Sequence, residues 1–167
     1  MGVEYDLGKA HPVYRRAIPP LVERLAWLYP KAPLRRVRVY EPAQSDRSLA
    51  NEDRPGVISL NLLWFGAEPE TLQRRALQLP RYHGPMIEEP QHVLTHEFGH
   101  VLCEALEAGW QDRAAEAWAS ATAEPERAPT PYALSDPDEY FAELFALAEL
   151  GFATREQRRR LGFITGV

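Results

Sequence analysis

A chain of 167 residues, 45% hydrophobic and 26% charged, has the composition of a globular domain large enough to bury its own core. Its net charge of −5 offers no basic surface for nucleic acid or an anionic membrane, and no apolar run reaches the length of a membrane span. The single cysteine, Cys103, excludes an internal disulfide, and without an apolar leader the chain is expected in the cytoplasm or exported by a non-classical route.

Met1 to Pro12 shows no periodicity and reads as an arm or a first turn. From Pro19-Pro20 to Tyr29, the residues Leu21, Val22, Leu25 and Leu28 recur at helical spacing, between a proline start and the stop at Pro30. Leu34 to Tyr40 sets Leu34, Val37 and Val39 against Arg36, Arg38 and Tyr40, which predicts a half-exposed strand. Glu41 to Pro55, rich in Pro, Asp, Ser and Asn, reads as a loop, after which Gly56 opens a second strand, Val57 to Asn61. Leu62-Leu63-Trp64-Phe65 reads as core packing before it reads as a pocket wall. Glu68 to Leu79 predicts a helix with Leu72, Ala76 and Leu79 inward. Leu79 to Glu89, broken by Pro80, Gly84 and Pro85, predicts a loop with His83 in solvent.

The next helix should open at Glu89-Pro90, run to Ala108 and stop at Gly109. It carries His96-Glu97-Phe98-Gly99-His100, of the form H-E-x-x-H. An i, i+4 step turns a helix by only about 40°, so both imidazoles project from one face. Leu94, Phe98, Val101, Leu102 and Ala105 form an apolar stripe roughly opposite. Zn²⁺ prefers nitrogen ligands, and two imidazoles one turn apart offer two corners of its tetrahedron. Glu97, about 100° further round, is too far to ligate the same ion but near enough to take a proton from a water the metal activates. Gly99 costs about 1 kcal/mol of helix propensity relative to alanine, which implies that something approaches the backbone closely there. His92, one turn before His96, reads as an outer partner of the site or as solvent-facing, and Cys103 as a small buried residue.

Gln111 to Ala123 predicts a helix anchored by Trp118, followed by a Pro-rich irregular segment, Glu124 to Pro137. Asp136-Pro137-Asp138-Glu139 then opens a helix that ends at Gly151. A catalytic zinc needs a third protein ligand and an open fourth position, and the search falls on this helix. Glu139 and Glu143 stand i, i+4 and share a stripe with Ala142 and Ala146, whose small side chains would admit the histidine helix near Gly99. Phe141, Leu144, Phe145 and Ala148 make the opposing core stripe. Asp136 and Glu139 also fit a capping box, a device that needs no metal. Spacing does not decide which carboxylate ligates; the other would take a hydrogen bond from the outer nitrogen of a ligating histidine. The last segment, Thr154 to Gly162, predicts a short helix whose Arg155, Arg158, Arg159 and Arg160 form a solvated face.

His96-Glu97-Phe98-Gly99-His100 together with Glu139-Tyr140-Phe141-Ala142-Glu143-Leu144-Phe145 resembles the two signature segments of zinc metallopeptidases of the anthrax lethal factor type, which are gluzincins. The resemblance implies Glu139 as third ligand and Glu143 as the outer carboxylate. It implies that Tyr132, seven residues before Glu139, helps stabilise the transition state. It matches Val57 to Asn61, with Ser59, Leu60 and Asn61, to the edge strand that pairs with peptide substrate. The implied fold class is α+β and mostly helical, a zincin-like domain over 1–167 with a small twisted sheet packed on the H-E-x-x-H helix and the glutamate helix. Residues 1–55 would supply an N-terminal helix and strand, 56–109 the edge strand and metal helix, and 110–167 the helical part with the third ligand.

The expected function is zinc-dependent hydrolysis of a peptide or protein substrate, with an inhibitory or host protein partner left open. The rival is a non-catalytic or regulatory module whose edge strand recruits a peptide and whose metal is structural, closed by Cys103 or His92. A metal hydrolase of non-peptide amides is the third reading.

Overall fold

The computed structural model describes residues 2–43, 50–76 and 90–166. Helices predominate, and a four-stranded sheet makes the chain mixed α+β. The N-terminal stretch expected to be an arm contains β1 (Glu4–Asp6), which pairs parallel with β2 (Arg36–Tyr40), Tyr5 opposite Val37. Three residues are too few for alternation to show in a sequence; pairing and the burial of Leu7 and Ala10 just beyond hold the strand.

The crossover that two parallel strands require is α1 (Pro12–Leu28). This helix starts at Pro12, not at Pro19-Pro20, and both of those prolines lie inside it. An interior proline removes an amide donor and costs about 3 kcal/mol. The stripe Tyr14, Ile18, Val22 and Leu25, buried along its whole length, continues at helical spacing straight across the prolines and outweighs them.

The predicted loop Glu41–Pro55 contains β3 (Ala50–Arg54), which pairs antiparallel with β4 (Val57–Asn61) across the turn Pro55-Gly56. Gly56 has φ +71°, and a Cβ there would stand 2.3 Å from the Pro33 carbonyl oxygen, so the position admits glycine alone. On its other side β4 pairs parallel with β2, giving the strand order β1-β2-β4-β3. The expectation that Val57–Asn61 is an edge strand is therefore corrected: β4 is interior, and β1 and β3 are the edges. Ser59, Leu60 and Asn61 are fully buried. The Ser59 hydroxyl accepts from Arg38 Nε at 2.9 Å, and Asn61 Oδ1 accepts from the Leu63 amide at 2.9 Å, capping α2 (Leu62–Phe65). These side chains serve the fold. The apolar strand drew attention in the sequence because burial on both faces selects apolar residues.

Trp64 and Phe65 enter the core as expected, with Leu63 half exposed. The next predicted helix is α3 (Pro69–Ala76); Leu79, Pro80, His83, Gly84, Pro85 and Glu89 lie outside the described residues. The histidine helix, α4 (Pro90–Cys103), stops before Ala108. Turns from Leu102 to Ala105 and from Cys103 to Leu106 close it, and Gly109, at φ +87°, opens α5 (Trp110–Ala123) instead of ending α4. Trp118 anchors α5 by donating its indole N–H to Leu134 O at 3.2 Å, in the 3-10 turn Tyr132–Leu134. Then comes α6 (Pro137–Glu149), closed by Gly151 at φ +84° with Phe152 N donating to Leu147 O at 2.9 Å. A Thr154–Gln157 capping box starts α7 (Arg155–Thr165). Arg155, Arg158 and Arg159 are exposed, but Arg160 is not part of a solvated face: it binds Glu156 and the Tyr140 hydroxyl. No helix of the described residues is long and apolar enough to cross a membrane.

The core lies where α4 packs on α6. Almost every residue from His92 to Cys103 and from Tyr140 to Leu147 is buried, and Phe98 stacks on Phe145 with ring centroids 6.1 Å apart. Gly99 sits at the closest approach, as its cost in the helix implied: a Cβ there would lie 3.1 Å from Ala142 Cα and 3.3 Å from Phe145 Cδ1. Gly99→Val is expected to lower stability by about 1–3 kcal/mol through overpacking, read as an earlier urea midpoint. Gly99→Ala should come closer to neutral, because about 1 kcal/mol of regained helix propensity offsets the small shift demanded of Ala142.

Candidate metal centre

A helix buried on all sides cannot leave polar side chains without partners, and α4 carries Thr95, His92, His96 and Glu97, each under a tenth exposed. Thr95 satisfies itself, donating to Gln91 O one turn back at 2.7 Å. The histidines find their partners on α6. Asp136 caps that helix, its Oδ1 accepting from the amides of Asp138 at 3.0 Å and Glu139 at 2.9 Å. That is one half of a capping box; the Glu139 carboxylate does not complete it but turns to the histidines.

Glu139 Oε2 lies 2.8 Å from His96 Nε2 and 3.4 Å from His100 Nε2, and the two Nε2 atoms are 3.1 Å apart. Zn–N and Zn–O bonds near 2.0–2.1 Å at tetrahedral angles would separate such atoms by about 3.3 Å. The triangle fits one small ion. Although flanked by two imidazoles, the buried Glu139 Oε2 makes no aligned hydrogen bond, as expected of lone pairs that converge on a common point. The side chains of His100 and Glu139 each retain 19% exposure while His96 retains 8%, so the triangle is closed behind and open in front. Beside His100 opens a cleft of about 580 Å³, also lined by Cys103, Glu104, Trp110, Gln111 and Asp138.

Behind the triangle stands Glu143, whose Oε1 lies 2.9 Å from His96 Nδ1 and 3.1 Å from His92 Nε2. The first contact is close but not aligned as a hydrogen bond, whereas the second is. His92, His96 and Glu143 also form a group of metal-ligand type, wholly buried and sharing His96 with the first through the other ring nitrogen. In front, the Tyr132 hydroxyl donates to Glu139 Oε1 at 2.9 Å, with its ring 5.8 Å from that of His96. Glu97 is buried beside these groups and forms no side-chain hydrogen bond with another described residue.

Burial and charge pull against each other here. Burial works to lower the His96 pKa, but the close carboxylates of Glu139 and Glu143 and the charge of Glu97 hold it well above the ordinary imidazole value. Burial would raise Glu139, yet His100 and His96 keep it far below the ordinary carboxylate range. Glu143 is likewise depressed by His92 and His96 against its own burial. Glu97 moves the other way: burial lifts its pKa, only partly countered by His96 and His100.

Of the residues singled out in the sequence, His96, Glu97, His100, Tyr132, Glu139 and Glu143 come together, whereas Ser59, Leu60 and Asn61 lie in the interior strand. His92 is buried and hydrogen-bonds Glu143, so it does not face solvent. Cys103 is buried as expected, on the cleft wall and in neither donor group. These donor groups could hold a metal ion. Comparison of the chain with family models, curated proteins and solved structures gives no match.

Proposed function

We propose that this chain is a zinc-dependent metallopeptidase, a zincin-like domain of the gluzincin type, in which His96, His100 and Glu139 hold the metal. One observation carries the reading: the convergence of His96 Nε2, His100 Nε2 and Glu139 Oε2 on a single point, with Glu97 alongside and an open side. Two imidazoles and a carboxylate suit Zn²⁺. Bound there, Zn²⁺ would lower the pKa of water towards about 7 and polarise a scissile carbonyl.

The chain's own side chains do the rest. Glu97, with no competing hydrogen bond among the described residues and a basicity raised by burial, takes the proton from the attacking water and passes it to the leaving amine. Glu143 fixes the His96 ring from behind. The Tyr132 hydroxyl, held at rest by Glu139, stands ready to donate to the oxyanion as it develops. β4 has a strand on each side, so a peptide would add to an edge strand, and β3 is the edge strand that packs against α4. The cleft beside His100 gives a substrate side chain room.

The rival structural metal requires closure by a fourth residue, yet Cys103 joins neither donor group and His92 is engaged by Glu143. Zinc analysis of the purified chain, combined with cleavage of a peptide library before and after chelation, tests the proposal. Zinc-bound protein that cuts no member of a diverse library would remove it. Tyr132→Phe is expected to lower kcat by about 10²–10³-fold, the usual loss for one oxyanion donor, with zinc content unchanged. Steady-state kinetics beside metal analysis would check this.

A further inference from the structure

His92 is a buried histidine one turn ahead of the metal triangle that takes no part in it. Its Nε2 hydrogen-bonds Glu143 Oε1 at 3.1 Å, and the same oxygen stands 2.9 Å from His96 Nδ1. Both imidazole side chains and the carboxylate are at least nine-tenths buried, so water does not substitute for any of these contacts. We infer that His92 is a positioning residue: it holds the Glu143 carboxylate where that carboxylate can fix the ring of His96, and so aims His96 Nε2 at the metal. This rests on the metal reading proposed above.

The chemistry of a carboxylate supports the assignment. Glu143 has two oxygens with lone pairs for several donors, and Oε2 is buried with no hydrogen-bond partner. An otherwise unanchored carboxylate could turn about its terminal bond and leave His96 Nδ1 unsupported. A donor from one turn earlier on the same helix removes that freedom, and three buried groups then constrain one another. A second ion among His92, His96 and Glu143 is the weaker account. His96 would have to give up its Nδ1 proton and ligate through both nitrogens at once, whereas a neutral imidazole offers one donor and one acceptor.

The test replaces His92 by Gln, Asn and Leu in the full chain and measures Zn²⁺ affinity by chelator competition, with the visible spectrum of the Co²⁺-substituted protein as a second readout. The amide nitrogen of Gln reaches the place of Nε2, while that of Asn reaches only that of Nδ1. His92→Gln should hold zinc almost as the parent does. His92→Asn and His92→Leu should bind about tenfold more weakly, the lower end of the 10–100-fold effect of an outer partner, with an altered Co²⁺ spectrum. In a Glu143→Gln background the differences among the variants should vanish, which a purely packing role would not produce. If Leu at 92 prevents folding, the Gln against Asn contrast still decides.

Equal affinities and spectra for all three variants, in a parent that binds zinc, would overturn the positioning role and leave the metal site standing. A parent that binds neither metal would overturn both. Two zinc ions per chain, one of them lost in His92→Leu, would make His92 a ligand and overturn the inference.

Discussion

Replacing Glu97 with glutamine is expected to lower kcat by about 10²–10⁴-fold while zinc content stays at the parental level, the range in which a positioned acid–base group contributes. The change keeps the shape of a side chain that is 8% exposed in a tightly packed helix, so the fold should not register it. Glu97 is outside the donor triangle, so metal affinity should not register it either. What glutamine cannot do is accept a proton. Peptide cleavage by Glu97→Gln at the parental rate, with zinc present, would show that another group takes the proton.

The second large effect is expected at Glu139. Glu139→Ala removes one vertex of the triangle and the acceptor of the Tyr132 hydroxyl. Zinc affinity should then fall by more than the roughly 10–100-fold lost with an outer partner, measurable by chelator competition. The substitution also separates the two donor groups, because His92, His96 and Glu143 are untouched by it. Undiminished zinc binding in Glu139→Ala would place the ion in that inner group and remove the open front on which hydrolysis depends.

The candidate metal centre was legible in the sequence because its histidines and carboxylates obey helical spacing. His96 and His100, and again Glu139 and Glu143, repeat at i, i+4, and the glycine and alanines between them announce close helix packing. The sheet was much less legible. β1 is three residues long and exists through pairing with a strand distant in the sequence, while β3 reads Ala-Asn-Glu-Asp-Arg with no apolar alternation and exists through pairing with β4 across the turn. Without β3, β4 was necessarily taken for an edge. The prolines misled in α1, where Pro19 and Pro20 look like a start until the buried stripe from Tyr14 to Leu25 is seen to pass through them. For His92 spacing fixes only a face of the helix, and the neighbour it meets there, Glu143, is visible in the structure alone.

One residue on the rim bears on all of this. Asp136 is exposed and supplies no donor to the triangle, yet its Oδ1 occupies the amides of Asp138 and Glu139 at the start of α6. Alanine there would leave those amides without their acceptor, and the first turn of α6, which sets where the Glu139 backbone stands, would loosen. The carboxylate proposed as a metal ligand would then be held less firmly against the histidines. Asp136 thus steadies the footing from which Glu139 reaches across to α4.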